Sequence, residues 1–74
     1  MKPKEISFTL RPDDDFIPLI QLLKAAGVVE SGSEAQDVVV AGLVYRDGQP
    51  ELRKRAKIRR GESIAFQGFI IKVS

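Results

Sequence analysis

Seventy-four residues of which 43% are apolar suffice for one small domain with an efficiently built core, and they exclude a multi-domain enzyme. The chain has no cysteine and no histidine, which excludes a disulfide framework, a thiolate metal site, a cysteine nucleophile and imidazole acid–base catalysis. Net charge is only +2, but it is unevenly placed: residues 1–45 carry net −3 and residues 46–60 carry net +5.

Ile6, Phe8 and Leu10 alternate with Ser7 and Thr9, the period-2 pattern of a strand with one buried face, so Lys4–Leu10 is read as a strand. Arg11-Pro12 ends it. Asp13-Asp14-Asp15 then set carboxylates where the free amides of a first helical turn need acceptors. A helix is predicted from near Phe16 to Gly27, with Pro18 tolerated in the first turn and Phe16, Leu19, Ile20, Leu23 and Ala26 on one face. Three adjacent carboxylates are also hard ligands for magnesium, but at a helix start they are far more often a cap, so no metal is expected. Ser31-Gly32-Ser33-Glu34 and Ser33-Glu34-Ala35-Gln36 each fit a capping box, which opens a second helix running to about Ala41. Its β-branched Val38-Val39-Val40 equally suits a strand. Gly42, placed as a left-handed residue just past a helix end, tips the assignment to helix.

Leu43–Arg46 before Asp47-Gly48 reads as a strand entering a tight turn, with a return limb from Gln49 to about Leu52. Ser63–Phe66 and Phe69–Val73, joined by Gln67-Gly68, form a terminal hairpin. One strand, two short helices and several antiparallel strands make an α+β fold, a single domain over residues 1–74 with the helix pair on a small antiparallel sheet.

The chemistry is concentrated in Arg53-Lys54-Arg55-Ala56-Lys57-Ile58-Arg59-Arg60, six cations in eight positions. Such a row suits phosphate oxygens and the release of condensed counterions. Arginine adds a planar fork and a face that stacks on exposed bases. Arg46, at a strand end beside the turn, is brought toward the same cluster. Lys24 lies off the apolar stripe of the first helix and extends the positive surface. Tyr45 and Phe69 are candidates to stack on a base, whereas Phe66 is read as core. No nucleophile–base pair is present, so no catalysis and no cofactor are expected.

The leucine-rich helix ending in Ala26-Gly27, the Ser31-Gly32-Ser33-Glu34-Ala35 entry, Gly42-Leu43-Val44-Tyr45-Arg46-Asp47-Gly48, and Lys57-Ile58 leading to Gly61-Glu62-Ser63-Ile64 follow one another in a fairly specific order. In this the chain resembles the RNA-binding domain family named after ribosomal small-subunit protein four, over residues 16 to 66. Its length and Glu51-Leu52-Arg53-Lys54-Arg55-Ala56-Lys57-Ile58 look most like a small free-standing bacterial subgroup. The resemblance implies an αL motif, two short helices plus a hairpin, that positions structured RNA and performs no catalysis. It also implies that Ser31 and Ser33, at the start of the second helix, join the basic residues in contacting RNA. Where the family often has arginine the chain has Gly32, and Gln36 and Asp37 stand on a helix face that is often basic.

Taken together, these features lead to the expectation of a cytoplasmic, ribosome-associated module that binds structured RNA, ribosomal or transfer RNA, through Arg46, Arg53, Lys54, Arg55, Lys57, Arg59, Arg60, Lys24, Ser31 and Ser33. The ribosome or an RNA-processing enzyme would be its further partners. No apolar run approaches the roughly 18–20 residues of a membrane span, so no membrane contact is expected. The alternative is an assembly module docking its basic edge on an acidic protein.

Overall fold

A computed structural model describes residues 2–74 of the chain. In chain order the elements are β1 (Lys4–Phe8), β2 (Ile17–Pro18), α1 (Leu19–Ala25), α2 (Gly32–Val40), β3 (Tyr45–Arg46), β4 (Gln49–Pro50), β5 (Lys57–Ile58), β6 (Ser63–Phe66) and β7 (Phe69–Val73). Five strands form one sheet in the order β1-β7-β6-β3-β4, and β2 pairs with β5 apart from it. The α+β architecture matches the sequence reading, while the sheet differs from it in two respects, the separate β2–β5 pair and one parallel pairing. β1 runs parallel to β7, with Lys4 opposite Phe69 and Phe8 opposite Val73, so the sheet is mixed where an antiparallel one was expected.

The terminal hairpin follows its turn chemistry. Gln67 and Gly68 both adopt positive φ, 45° and 81°, as a two-residue type I′ connection requires, and Phe66 pairs with Phe69 across it. Asp47 and Gly48 repeat the geometry with φ of 49° and 88°. Inward residues of the terminal hairpin, Ile64, Phe66, Ile71 and Val73, are buried. They meet Leu19, Leu22 and Leu23 of α1, and Ala35 and Val39 of α2, in one cluster. At about 1.5–3 kcal/mol for each large apolar side chain removed from water, this cluster is the main force holding helices to sheet.

The second helix begins at the expected cap, with a shifted reciprocal bond: Ser31 Oγ accepts from the Glu34 amide at 3.1 Å, and Glu34 Oε1 accepts from the amide of Glu30, one residue before the cap, at 2.7 Å. It stops at Gly42, whose φ of 78° is left-handed, so the valine run is helical and buries Val39.

The first helix departs from expectation. Asp13-Asp14-Asp15 lie in the preceding loop and do not cap α1, because Ile17–Pro18 are drawn into pairing with Ile58 and Lys57, which leaves Pro18 as an N-cap without a side-chain acceptor. The amides of Leu19 and Ile20 donate instead to the carbonyls of Ala56 and Lys54, at 2.9 and 3.2 Å. Backbone from the basic stretch thus satisfies the donors that the acidic run was expected to satisfy. Starting the helix three residues later also changes its buried face: Leu22 is fully buried, Ile20 and Ala26 are half-buried, and Phe16 remains exposed.

Candidate nucleic-acid interface

Residues 51–60 lead from β4 toward β6 with only the two residues of β5 in a strand, yet the segment is fixed at nearly every step. The Glu51 amide donates to the Val44 carbonyl at 3.0 Å, the Lys54 and Ala56 carbonyls receive the first amides of α1, and the Ala56 amide closes a turn on the Arg53 carbonyl at 3.2 Å. Ala56 and Ile58 point into the core. Lys54, Arg55, Lys57, Arg59 and Arg60, before, between and after these two anchors, are left exposed.

The cations of the sequence cluster divide into two kinds. Arg46 is mostly shielded and donates four hydrogen bonds: from Nε and Nη2 to the two carboxylate oxygens of Glu62, at 2.6 and 2.8 Å, from Nη1 to Glu51 Oε1 at 3.2 Å, and from Nη2 to the Lys57 carbonyl at 2.9 Å. Arg53 engages both oxygens of Glu51, at 3.1 and 3.2 Å, while its own side chain stays 76% exposed. Glu51 is buried. Hydrogen bonds from Arg53, then from Arg46, outweigh the burial and bring its pKa from the ordinary 4.5 to about 2. Glu62 is likewise held below the carboxylate range, chiefly by the Arg46 fork, and the same pairing raises Arg46.

Lys54, Arg55, Lys57, Arg59 and Arg60 form the second kind. Among the described residues none of their side chains is ion-paired with a carboxylate. Lys57 Nζ stands 5.1 Å from the centre of the Phe16 ring, a cation–π contact that leaves its charge available. Arg60 donates to the Arg11 carbonyl at 2.8 Å. Arg46, Arg53, Arg55, Lys57 and Arg59 together line an open depression of about 440 Å³. A neighbouring hollow of about 490 Å³ runs from Arg53 past Glu51 to the Asp47 turn. A larger cavity of about 630 Å³, between Leu10, Phe16 and Gln21, brings no comparable set of charges together and lies outside the chemistry of interest.

Lys24, Ser31 and Ser33 are brought together elsewhere. Lys24, in the last turn of α1, lays its stem over the start of α2, where a Cβ placed at Gly32 would stand 4.0 Å from its Cδ. The basic segment contacts the opposite, N-terminal end of α1, and a seven-residue helix spans about 10 Å. The two groups of predicted residues thus flank one short helix. Ser31 Oγ is already occupied by its cap.

Sequence reasoning passed over Glu51, Glu62 and Phe16. A signal was present for the two acids, since they are the only carboxylates between residues 48 and 74 and both sit beside the basic run.

The chain is similar to known proteins in sequence and in fold. The family model described as the S4 domain matches residues 10–74. YbcJ of Escherichia coli (strain K12) and YbcJ of Shigella flexneri are each 40% identical over 57 residues, covering 77% of this chain and 81% of theirs. The solution structure of E. coli YbcJ, described as revealing an αL motif involved in RNA binding, superposes with a TM-score of 0.70 at 37% identity, covering 90% of this chain and 84% of that one. With the matched model spanning nearly the whole chain and the αL arrangement of two helices and a hairpin present, the protein belongs to the S4 domain family.

Proposed function

We propose that the protein is an RNA-binding module with no catalytic step of its own, which grips structured RNA, ribosomal or transfer RNA, by backbone charge and shape. The observation carrying this reading is the row of five exposed cations, Lys54, Arg55, Lys57, Arg59 and Arg60, free of carboxylate partners among the described residues and mounted on an anchored backbone. Arg53 adds a sixth charge whose partner Glu51 balances it. Family membership supports the same direction, as does the RNA binding attributed to the αL motif of YbcJ. Lys24, Ser31 and Ser33 extend the footprint across α1. A cytoplasmic, ribosome-associated role fits this chemistry, and among the described residues no helix is long and apolar enough to cross a membrane.

The test is binding of a structured ribosomal RNA fragment, bulk transfer RNA, single-stranded RNA of matched length and duplex DNA, each across a salt series. Five neutralised phosphates give a slope of log affinity against log salt of roughly −3.5 to −4.5. The expected result is tightest binding to a structured RNA with that slope, each Lys54→Gln or Arg55→Gln change reducing the slope by about 0.7–0.9. Weak, equal binding to all four would refute the reading and leave the basic edge to an acidic protein partner.

A further inference from the structure

The Arg46 side chain occupies the centre of the basic surface without being free to serve it. Its fork is closed on Glu62, its remaining bonds go to Glu51 and to the Lys57 carbonyl, and Glu62 Oε1 also accepts from the Arg59 amide at 2.7 Å. Two backbone groups of the cation-bearing segment, the Lys57 carbonyl and the Arg59 amide, are thereby tied to one buried-edge ion pair. Both tied residues carry exposed cations. The Glu62 side chain is only 20% exposed and stands beside the polyanion surface, where a bare carboxylate would repel phosphate.

Resting on the RNA-binding reading above, we propose that Arg46, Glu62 and Glu51 form a positioning cluster that pre-shapes the segment bearing Lys57 and Arg59, so that two acidic residues strengthen binding to a polyanion. Arg46 is then a positioning residue and not one of the phosphate contacts. Charge counting makes the opposite prediction: Glu62→Gln removes a negative charge next to the site and should tighten binding. The physical reason for the reversal is that a segment already fixed before binding loses less conformational freedom on binding. Releasing one or two ordered side chains and their backbone tie corresponds to roughly three- to tenfold in affinity.

The experiment compares the full chain with E62Q, R46K and K54Q, using bulk transfer RNA across a salt series, with circular dichroism confirming that each is folded. R46K keeps the charge and loses the planar fork. The expected result is E62Q and R46K binding roughly three- to tenfold more weakly with an unchanged salt slope, while K54Q lowers the slope by about 0.7–0.9. E62Q binding as tightly as the unmodified chain or more tightly, or R46K matching it, overturns the inference. Amide exchange on the unmodified chain without RNA gives a second readout that needs no variant: the Arg59 amide should be protected, and free exchange there overturns the pre-shaping. Absence of binding by the unmodified chain to any RNA would overturn the functional reading itself, whereas binding with a tighter E62Q overturns only the positioning role.

Discussion

Acid should loosen this protein through one carboxylate in particular, and E51Q isolates it. Glu51 has a folded pKa of about 2 against an ordinary 4.5. A depressed folded value means that the unfolded chain binds the proton more readily, so the associated stability is fully present above pH 4.5 and is lost as pH falls toward 2. At about 1.4 kcal/mol for each pH unit of depression, the upper bound is about 3 kcal/mol. The first cause of the depression is Arg53, whose side chain is 76% exposed, and solvent screening of such a partner reduces the realised value to ~1–2 kcal/mol. That is a substantial share of the roughly 4–11 kcal/mol expected for a domain of this size. Urea unfolding followed by circular dichroism at pH 7, 5, 4 and 3 measures it. The unmodified chain should lose stability steeply below pH 4.5, and E51Q should show a curve flatter by ~1–2 kcal/mol over that interval. Parallel curves for the two proteins would show that Glu51 is not held as its hydrogen bonds imply.

Three further outcomes test the packing and the caps. Leu22 is fully buried at the helix–sheet junction, so Leu22→Ala should cost about 2–5 kcal/mol in urea unfolding; a loss under about 1 kcal/mol would place it outside the core. Ser31→Ala removes the oxygen that accepts from the Glu34 amide and should destabilise by about 1 kcal/mol, with Ser31→Gly milder. The triple change D13N, D14N and D15N should leave the unfolding free energy within about 0.5 kcal/mol of its starting value, because the first amides of α1 are held by Lys54 and Ala56 carbonyls; a loss near that of Ser31→Ala would restore the acidic run as a cap.

Features governed by near neighbours were legible in the sequence. The two hairpin turns follow from Asp47-Gly48 and from Gly68, residues that tolerate positive φ, and α2 follows from Ser31 and Gly42 at its ends. The first helix was misread because Asp13-Asp14-Asp15 is a local signal overridden by a distant one: the carbonyls that satisfy Leu19 and Ile20 lie more than thirty residues later in the chain. The parallel pairing of β1 with β7 has the same character, since alternation in Ile6 and Phe8 specifies a strand but not its neighbour. Within the candidate interface the basic run itself was plain. The division of its charges was not, because a count treats Arg46 like Lys54, whereas the fold places Arg46 between two carboxylates sixteen and five residues away.

The pairing of β1 with β7 also sets an order of assembly. Lys4 and Phe69 are joined across sixty-five positions of chain, and closing a loop that long in a flexible chain costs roughly (3/2)RT ln n, about 4 kcal/mol, before any contact repays it. The β6–β7 hairpin closes over two residues and escapes nearly all of that penalty. By this reckoning the edge that β1 covers stays open until the hairpin and helices have gathered the chain, so topology predicts that β1 docks after the β6–β7 hairpin has formed.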